Sequence, residues 1–404
     1  MPAGISGSPG IRLTRKNSPS MRDQIAAYLA DRETEAVELL RRLVEIQSGS
    51  RNKSGLDLMA EAMSEVLGQV LPDVRILPFA DYGNMVQASS GPWITGESGF
   101  VLVGHMDTVF PPDTTFTVFQ EDGDICRGPG VYDMKGGLVV GVYALKALRS
   151  LGVLNDMPVT FLCNSDEEIG SPASRPWIEE QAGRCLACLV FEGGGLNREV
   201  VTGRKGRLGL RVTVRGRAGH AAKGGSKASA ILELAHKITA LEALNDDAEV
   251  TVNVGYVEGG IGPNTVPELA QALVDARFLS PGGQSRLRES LAALFADQTV
   301  PGTSCEYVET SGRSAMPQSE ANKGLYAAAR RQAALLGYDL PDELRFGVSD
   351  ANFIADRGVP VLDGLGPLGD LDHSDREYIV RCSLMERSAL VASLLLDLWT
   401  NRAH

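Results

Sequence analysis

The sequence has no uninterrupted apolar run approaching the roughly 18 residues that a membrane span requires. It has no excess of positive charge either: 39 Lys and Arg stand against 51 Asp and Glu, for a formal net charge of -12. A chain this acidic has no overall pull toward phosphate backbones or anionic lipid, and no basic stripe reverses that. Neither nucleic acid nor a membrane is expected as a partner. The first 20 residues, MPAGISGSPGIRLTRKNSPS, lack the apolar stretch of a secretory signal and read as a flexible tail. The six cysteines are scattered, four of them in or beside apolar runs. That suits buried thiols in a reducing, cytoplasmic setting rather than a disulfide framework. Cys185 and Cys188 form a C-x-x-C, but no second pair exists and CLACLVF reads as a buried strand. No G-x-G-x-x-G follows a strand and opens a helix, which excludes a dinucleotide-binding fold.

What remains is an ordinary globular balance, 43% hydrophobic and 22% charged, over 404 residues. That length supports more than one core. Helical periodicity runs from about 21 to 46 and from about 55 to 68. Short apolar runs then recur at 100–105, 158–165, 185–193 and 359–364, separated by helical stretches such as 138–152. This is the rhythm of a mixed, mostly parallel sheet covered by helices, an α/β architecture. One interval differs. Strand patterns at 207–216, 248–260, 268–279 and 303–312 alternate with helices at 226–244 (Ser226 as its cap) and 282–297. The order β-α-β-β-α-β is that of a ferredoxin-like α+β unit. The expected organisation is a main domain over 21–205 and 313–404, with a smaller domain inserted at 206–312.

Five histidines exist, and their surroundings are unequal. His105, in VLVGHMDTV, follows a strand directly, and Asp107 projects on the same side two residues later. Asp133 lies in GPGVYDMKGG, between a Gly/Pro turn and a helix. Asp166, Glu167 and Glu168 follow a buried strand, where three consecutive acids repel unless a cation offsets them. Glu192 ends another strand before three glycines, and His373 follows the last strand in LDHSDREY. One by one, these positions have ordinary readings: a strand-end histidine, a helix-capping aspartate, a solvated acidic loop. Together they fall mostly in loops after parallel strands, the edge where open α/β sheets bind ligands. Two imidazoles with several carboxylates suit a divalent metal such as zinc, cobalt or manganese. The acids are too many for one tetrahedral zinc and suit a pair of ions sharing a carboxylate. His236 matches no motif and reads as a surface residue.

GHMDTV, GPGVYDMKGG, SDEEIGS, FEGG and DHSDREY, in this order, are similar to the M20 metallopeptidases, the aminoacylase and glutamate carboxypeptidase superfamily. The resemblance covers about 35 to 400, and EEIGSPASRPWIEE looks most like the glutamate carboxypeptidase branch. It implies two divalent metal ions per chain, zinc before cobalt or manganese. Asp133 would bridge them, His105 and Glu192 would complete one site, and Glu168 and His373 the other. Asp107 would support His105, and Glu167 would be the general base toward the attacking water. A cis peptide would follow Asp133. From the inserted domain, His220 in GRAGHAAKGG would reach the active site of a neighbouring subunit. Asn264 in GGIGPNTVPE would contact substrate, and Arg277 in VDARF would grip its free carboxylate through two parallel hydrogen bonds. Arg204, Lys205 and the loop GVSDANF are weaker substrate candidates. The implied activity is cleavage of an amide beside a free carboxylate. A glutamate-type carboxypeptidase comes first, and an N-acyl-amino-acid deacylase of the acetylornithine or succinyl-diaminopimelate type second. A metal-binding member without catalysis is the third reading. A homodimer through the inserted domain is expected, with a small peptide or N-acyl amino acid as substrate.

Overall fold

A computed structural model describes residues 19–96, 98–246 and 249–402. Most of the tail expected over 1–20, and His404, lie outside these. At its centre is a six-stranded sheet in the order Asp73–Leu77, Met85–Ser89, Val159–Asn164, Phe100–His105, Ala187–Val190, Val361–Leu362. The last four strands are mutually parallel; Met85–Ser89 runs against them, and the edge strand Asp73–Leu77 pairs antiparallel with it. Every residue of Phe100–His105 and Val159–Asn164 is buried. Helices cover the sheet, so these strands read as continuous apolar runs rather than as alternating ones. Gly136–Ser150 and Ser383–Thr400 pack beside one another, burying Leu138, Tyr143, Leu390 and Leu394 in the same cluster as Phe100 and Leu102. A second cluster joins Val101 and Val103 to Trp93, Ile178 and Ile354. Among the described residues no helix is long and apolar enough to cross a membrane.

The helix expected over 21–46 is two, Met21–Ala30 and Glu33–Val44. Asp31 and Arg32 leave helical geometry between them, and the Arg32 guanidinium lies 3.7 Å from the centre of the Tyr28 ring. Ser20 caps the first helix in a reciprocal pairing with Asp23. The run 185–193 contributes only Ala187–Val190, and 359–364 only Val361–Leu362. All six cysteines are free thiols.

The interval set apart by its pattern forms its own antiparallel sheet, ordered Val250–Gly259, Leu269–Phe278, Gly206–Arg215, Ser304–Arg313. Helices Ala230–Glu242 and Pro281–Ala296 bury Leu234, Leu241, Leu287 and Phe295 against Leu208, Leu210 and Val212. That core shares no residue with the main one. The helix cap is Ser229, accepting from the Leu232 N–H at 3.2 Å, rather than Ser226. The reason is that Ala228 bridges to Arg217 as a strand would, which postpones the helix start. Gly206 stands where the chain enters this sheet: a Cβ there would lie 2.0 Å from the Phe278 ring. Arg313 stands where the chain leaves it.

Candidate active site

The carboxyl ends of the parallel strands carry most of the residues expected to form the site. His105 is the last residue of its strand, and Glu192 lies two residues beyond Val190. The Glu167–Ile169 turn follows Val159–Asn164. Asp133 sits in the Val131–Lys135 turn that enters Gly136–Ser150, and its peptide bond to Met134 is cis, as expected. His373 holds a left-handed backbone (φ 58°) in the loop between 371 and 377.

These turns bring five side chains together in two groups. Asp133 presents Oδ1 to His105 Nε2 at 3.0 Å and Oδ2 to His373 Nε2 at 3.2 Å. Glu192 Oε1 lies 3.8 Å from His105 Nε2, and Glu168 Oε2 lies 3.4 Å from His373 Nε2. Atoms bound tetrahedrally to one zinc at ~2.1 Å stand about 3.4 Å apart, so both groups have the spacing of a ligand set. Glu168 Oε1 is buried with no hydrogen-bond partner. A carboxylate oxygen in that state costs stability unless a cation meets it. The residues therefore fit divalent metal, and the shared Asp133 fits a pair of ions.

Titration reflects the same crowding. Burial, reinforced by the Asp133 charge, pushes Glu168 up to about 8 and Glu192 well above the carboxylate range. For Asp133, burial is outweighed by hydrogen bonds from both imidazoles, which hold its carboxyl far below its usual value. His373 is raised to about 11 by its bonds to Asp133 and Glu168. His105 is raised well above its usual value because Asp107 and Asp133 outweigh its burial.

Asp107 does more than face a ring. His105 Nδ1 donates to the main-chain carbonyl of Asp107 at 2.9 Å, with the Asp107 carboxylate 3.4 Å away. That carboxylate is fully buried and accepts the N–H groups of Glu167 and Glu168, both at 3.1 Å, and the Ser50 hydroxyl at 2.7 Å. It thus fixes the turn that presents the two glutamates. Asp166, the first of the three acids, faces away: its Oδ2 accepts the Ala173 and Ser174 N–H groups. The repulsion expected within the triplet is thereby reduced to a pair. Glu167 and Glu168 also divide. Glu168 faces His373, whereas Glu167 Oε1 accepts from Arg313 Nη1 at 2.6 Å and its Oε2 takes no donor among the described residues.

Sequence reasoning missed several supporting residues. Glu377, fully buried, accepts the N–H groups of Tyr132 (2.8 Å), Asp133 (2.9 Å) and Gly130 (3.0 Å) and so holds the Asp133 turn. Tyr132 lies against Gly193, where a Cβ would sit 2.1 Å from its ring. Asp350 accepts from Asn164 Nδ2 at 2.8 Å and lies 3.8 Å from Arg313. Glu377 stands four residues after His373 inside a quoted motif, so proximity was an available signal. Asp350 lies in the loop GVSDANF, which was singled out only for substrate contact; Arg313 gave no signal.

A cleft of about 350 Å³ opens over this centre, lined by Asp133, Glu167, Glu168, Glu192 and His373 and, beyond them, by Tyr132, Arg204, Arg345 and the loop 346–348. Arg204 and GVSDANF thus reach it. Arg277 stands near its rim: Nη1 donates to the Phe346 carbonyl at 3.3 Å, while Nε is bound to Asp275 at 2.6 Å. His220 and Asn264 are exposed, joined to one another through the Ala221 N–H and the Asn264 carbonyl, and do not line the cleft.

The sequence profile of peptidase family M20/M25/M40 matches residues 101–397. Carboxypeptidase G2 from Pseudomonas sp. (strain RS-16) is 28% identical over 387 residues, covering 93% of this chain and 92% of the relative. Succinyl-diaminopimelate desuccinylase from Nitrosococcus oceani is 26% identical over 319 residues, covering 73% and 82%. The solved structure of an M20 family metallo-carboxypeptidase from Sulfolobus solfataricus superposes with a TM-score of 0.72 at 18% identity, covering 89% of this chain and 98% of that one; it is a likeness of fold.

Proposed function

Since this chain belongs to peptidase family M20/M25/M40, a family of metal-dependent hydrolases, we propose that it uses two divalent cations to hydrolyse an amide beside a free carboxylate. The reading is a glutamate-type carboxypeptidase. The observation that carries it is the paired arrangement in which Asp133 offers one oxygen to each of two His–Glu groups. His105 with Glu192 and His373 with Glu168 would hold the ions, of which zinc is the first choice, with cobalt and manganese as alternatives. Bound there, the ions would acidify water toward neutral pH and polarise an amide carbonyl.

The protein supplies the rest. Glu167 keeps Oε2 free, and this is the atom that takes the water's proton and delivers it to the departing nitrogen, which leaves poorly as an anion. Asp107 fixes where that carboxylate stands. Arg277, at the cleft rim, receives the substrate's α-carboxylate once it exchanges its bond to Asp275. His220 and Asn264 serve a second copy's cleft, since they stand away from their own. The strand Val250–Gly259 at the sheet edge supports a homodimer: Tyr256 and Val257 are exposed on it, and Ile261 just beyond it. With the two units joined at Gly206 and Arg313, closure over substrate is also proposed.

The test is a metal-reconstituted substrate panel. It compares peptides and folate-like compounds ending in glutamate with N-acetyl and N-succinyl amino acids. Amino-acid release from the first group, abolished by chelator, is the expected result. Activity confined to the second group would keep the metal chemistry and make the protein a deacylase, the second reading, which the desuccinylase relative favours.

A further inference from the structure

Opposite the metal ligands, the cleft wall is cationic. Four side chains meet around Phe346 and Gly347. Arg204 Nη1 donates to the Gly347 carbonyl at 3.1 Å, and Arg277 Nη1 to the Phe346 carbonyl at 3.3 Å. Lys205 Nζ lies 4.7 Å from the centre of the Phe346 ring. Arg345 Nη1 donates to the Gly193 carbonyl at 2.7 Å, one residue from Glu192. Their direct ion pairs are few. Asp363 serves Arg204 (2.7 Å), Glu343 serves Arg345 (2.7 Å), and Asp275 is divided between Arg277 and Arg207, both at 2.6 Å. Lys205, only 7% exposed, has no carboxylate within ion-pair distance among the described residues. Within ion-pair distance these cations, with Arg207, share three carboxylates; Asp372, which also lines the cleft, and Glu199 act on Arg345 only at longer range.

The members of this wall are not equivalent. Arg204 is neutralised by a fully buried Asp363 and is spent on holding the loop. Arg345 lines the cleft itself and is pinned through Nε and Nη1, with the Tyr132 hydroxyl beside the guanidinium; among the described residues Nη2 makes no close hydrogen bond. A guanidinium immobilised on one side with donors left over is prepared for an incoming anion, because its ordering cost has already been met. Its own partner, Glu343, is more exposed and correspondingly weaker.

We propose that Arg345, assisted by the charge of Lys205, is the receptor for a second carboxylate on the substrate, the one on the side chain of the released amino acid. The substrate class would then be amides whose amine half carries two carboxylates, one for Arg277 and one for Arg345. This rests on the cleft being the amide-cleaving site proposed above and names the residue that sets its selectivity.

The experiment uses the metal-loaded full chain and matched pairs, peptides with the same acyl part ending in Glu or Gln and in Asp or Asn. Wild-type protein should favour the acid over its amide at least tenfold in kcat/KM. Arg345→Gln should bring that ratio near one by losing rate on the acid alone, and Arg345→Lys should keep part of it. Lys205→Met, a second variant with a separate folding risk, should lower the ratio by a smaller factor. Free glutamate should bind more tightly than glutamine to wild type, and no more tightly to Arg345→Gln, by calorimetry. Equal losses on acid and amide in Arg345→Gln, or no acid preference in wild type, would overturn the proposal. Failure of the carboxypeptidase reading shows differently: no terminal peptide is cleaved, while the pair N-acetylglutamate and N-acetylglutamine still reports on Arg345. If neither reaction occurs, the glutamate and glutamine affinities alone decide for or against the receptor.

Discussion

Arg313 binds Glu167 twice, through Nη1 to the carboxylate Oε1 at 2.6 Å and through Nη2 to the main-chain carbonyl of the same residue at 3.2 Å. The arginine is nearly buried, lies 4.7 Å from the centre of the Phe353 ring, and ends the last strand of the inserted sheet. The proposed general base is therefore held by a residue at the junction of the two units. One carboxylate oxygen is locked and the other is left for chemistry.

Removing the base and removing its anchor should differ. Glu167→Gln should lower kcat by about 10²–10⁴-fold, the range for a general acid or base, with metal content unchanged. Arg313→Gln leaves the largely buried Glu167 and the buried Asp350 without their shared cation, so stability should fall by about 3–5 kcal/mol. Turnover should also drop, by about 10²-fold, through misplacement of Glu167. Thermal melts with steady-state kinetics and metal analysis check both variants. A Glu167→Gln protein that turns over normally would refute the mechanism.

Metal binding should release protons. Without metal, burial and the Asp133 charge raise Glu168 to about 8, and bonds to Asp133 and Glu168 raise His373 to about 11, so both hold protons at pH 7. Ligands must be deprotonated, so apparent metal affinity should rise with pH up to about 8 and above. The same shifts set the stability of the chelated protein. Both folded values lie above the unfolded ones. The stabilisation is therefore complete below about pH 4.5 for Glu168 and 6.5 for His373, and is lost as pH climbs toward 8 and 11. The gap in melting temperature between loaded and chelated protein should widen from pH 5 to 8. Calorimetry in two buffers of different ionisation enthalpy measures the released protons, and buffer-independent heats would contradict this account.

Glu377 should control metal affinity without touching metal. Its carboxylate takes three N–H groups of the turn that carries Asp133. In Glu377→Gln, one oxygen becomes an amide donor facing another donor, so the turn loses an acceptor. Partners of this kind typically contribute 10–100-fold to metal affinity. A loss of that size in competition with a chromophoric chelator is expected, with the fold intact by circular dichroism. An unchanged affinity would reduce Glu377 to a purely structural buttress.

The centre was legible in the sequence because its residues sit at strand ends, where pattern and chemistry coincide. His105, Glu167, Glu168 and Glu192 each close or follow an apolar run, and the structure brings them together with Asp133 and His373. The inserted sheet was legible because its strand sequences alternate, as Leu269–Phe278 also does in its burial; Gly206–Arg215, an inner strand, is buried along most of its length. What escaped were partners distant in sequence. Arg313 meets Glu167 across 146 positions and Glu377 meets Asp133 across 244, separations that no local periodicity encodes. The break at Asp31 escaped because apolar spacing continues through it, and only backbone hydrogen bonding reveals the stop.

The position of His220 gives the last prediction. It is exposed, its Nδ1 accepts the Ala222 N–H at 3.2 Å, and it does not line its own chain's cleft. If it serves the cleft of a second copy, His220→Ala and Glu167→Gln should each inactivate their own homodimer. In a mixed dimer, one cleft would combine an intact Glu167 with an intact His220 from the other chain. Random mixing makes half of the dimers mixed, each with one working cleft of two, so the refolded mixture should recover roughly a quarter of wild-type activity. Equilibrium sedimentation should show a species of twice the 43.1 kDa chain at micromolar concentration. A dimer without recovery would mean that each His220 acts on its own chain through closure; a monomer with full activity would remove the shared site altogether.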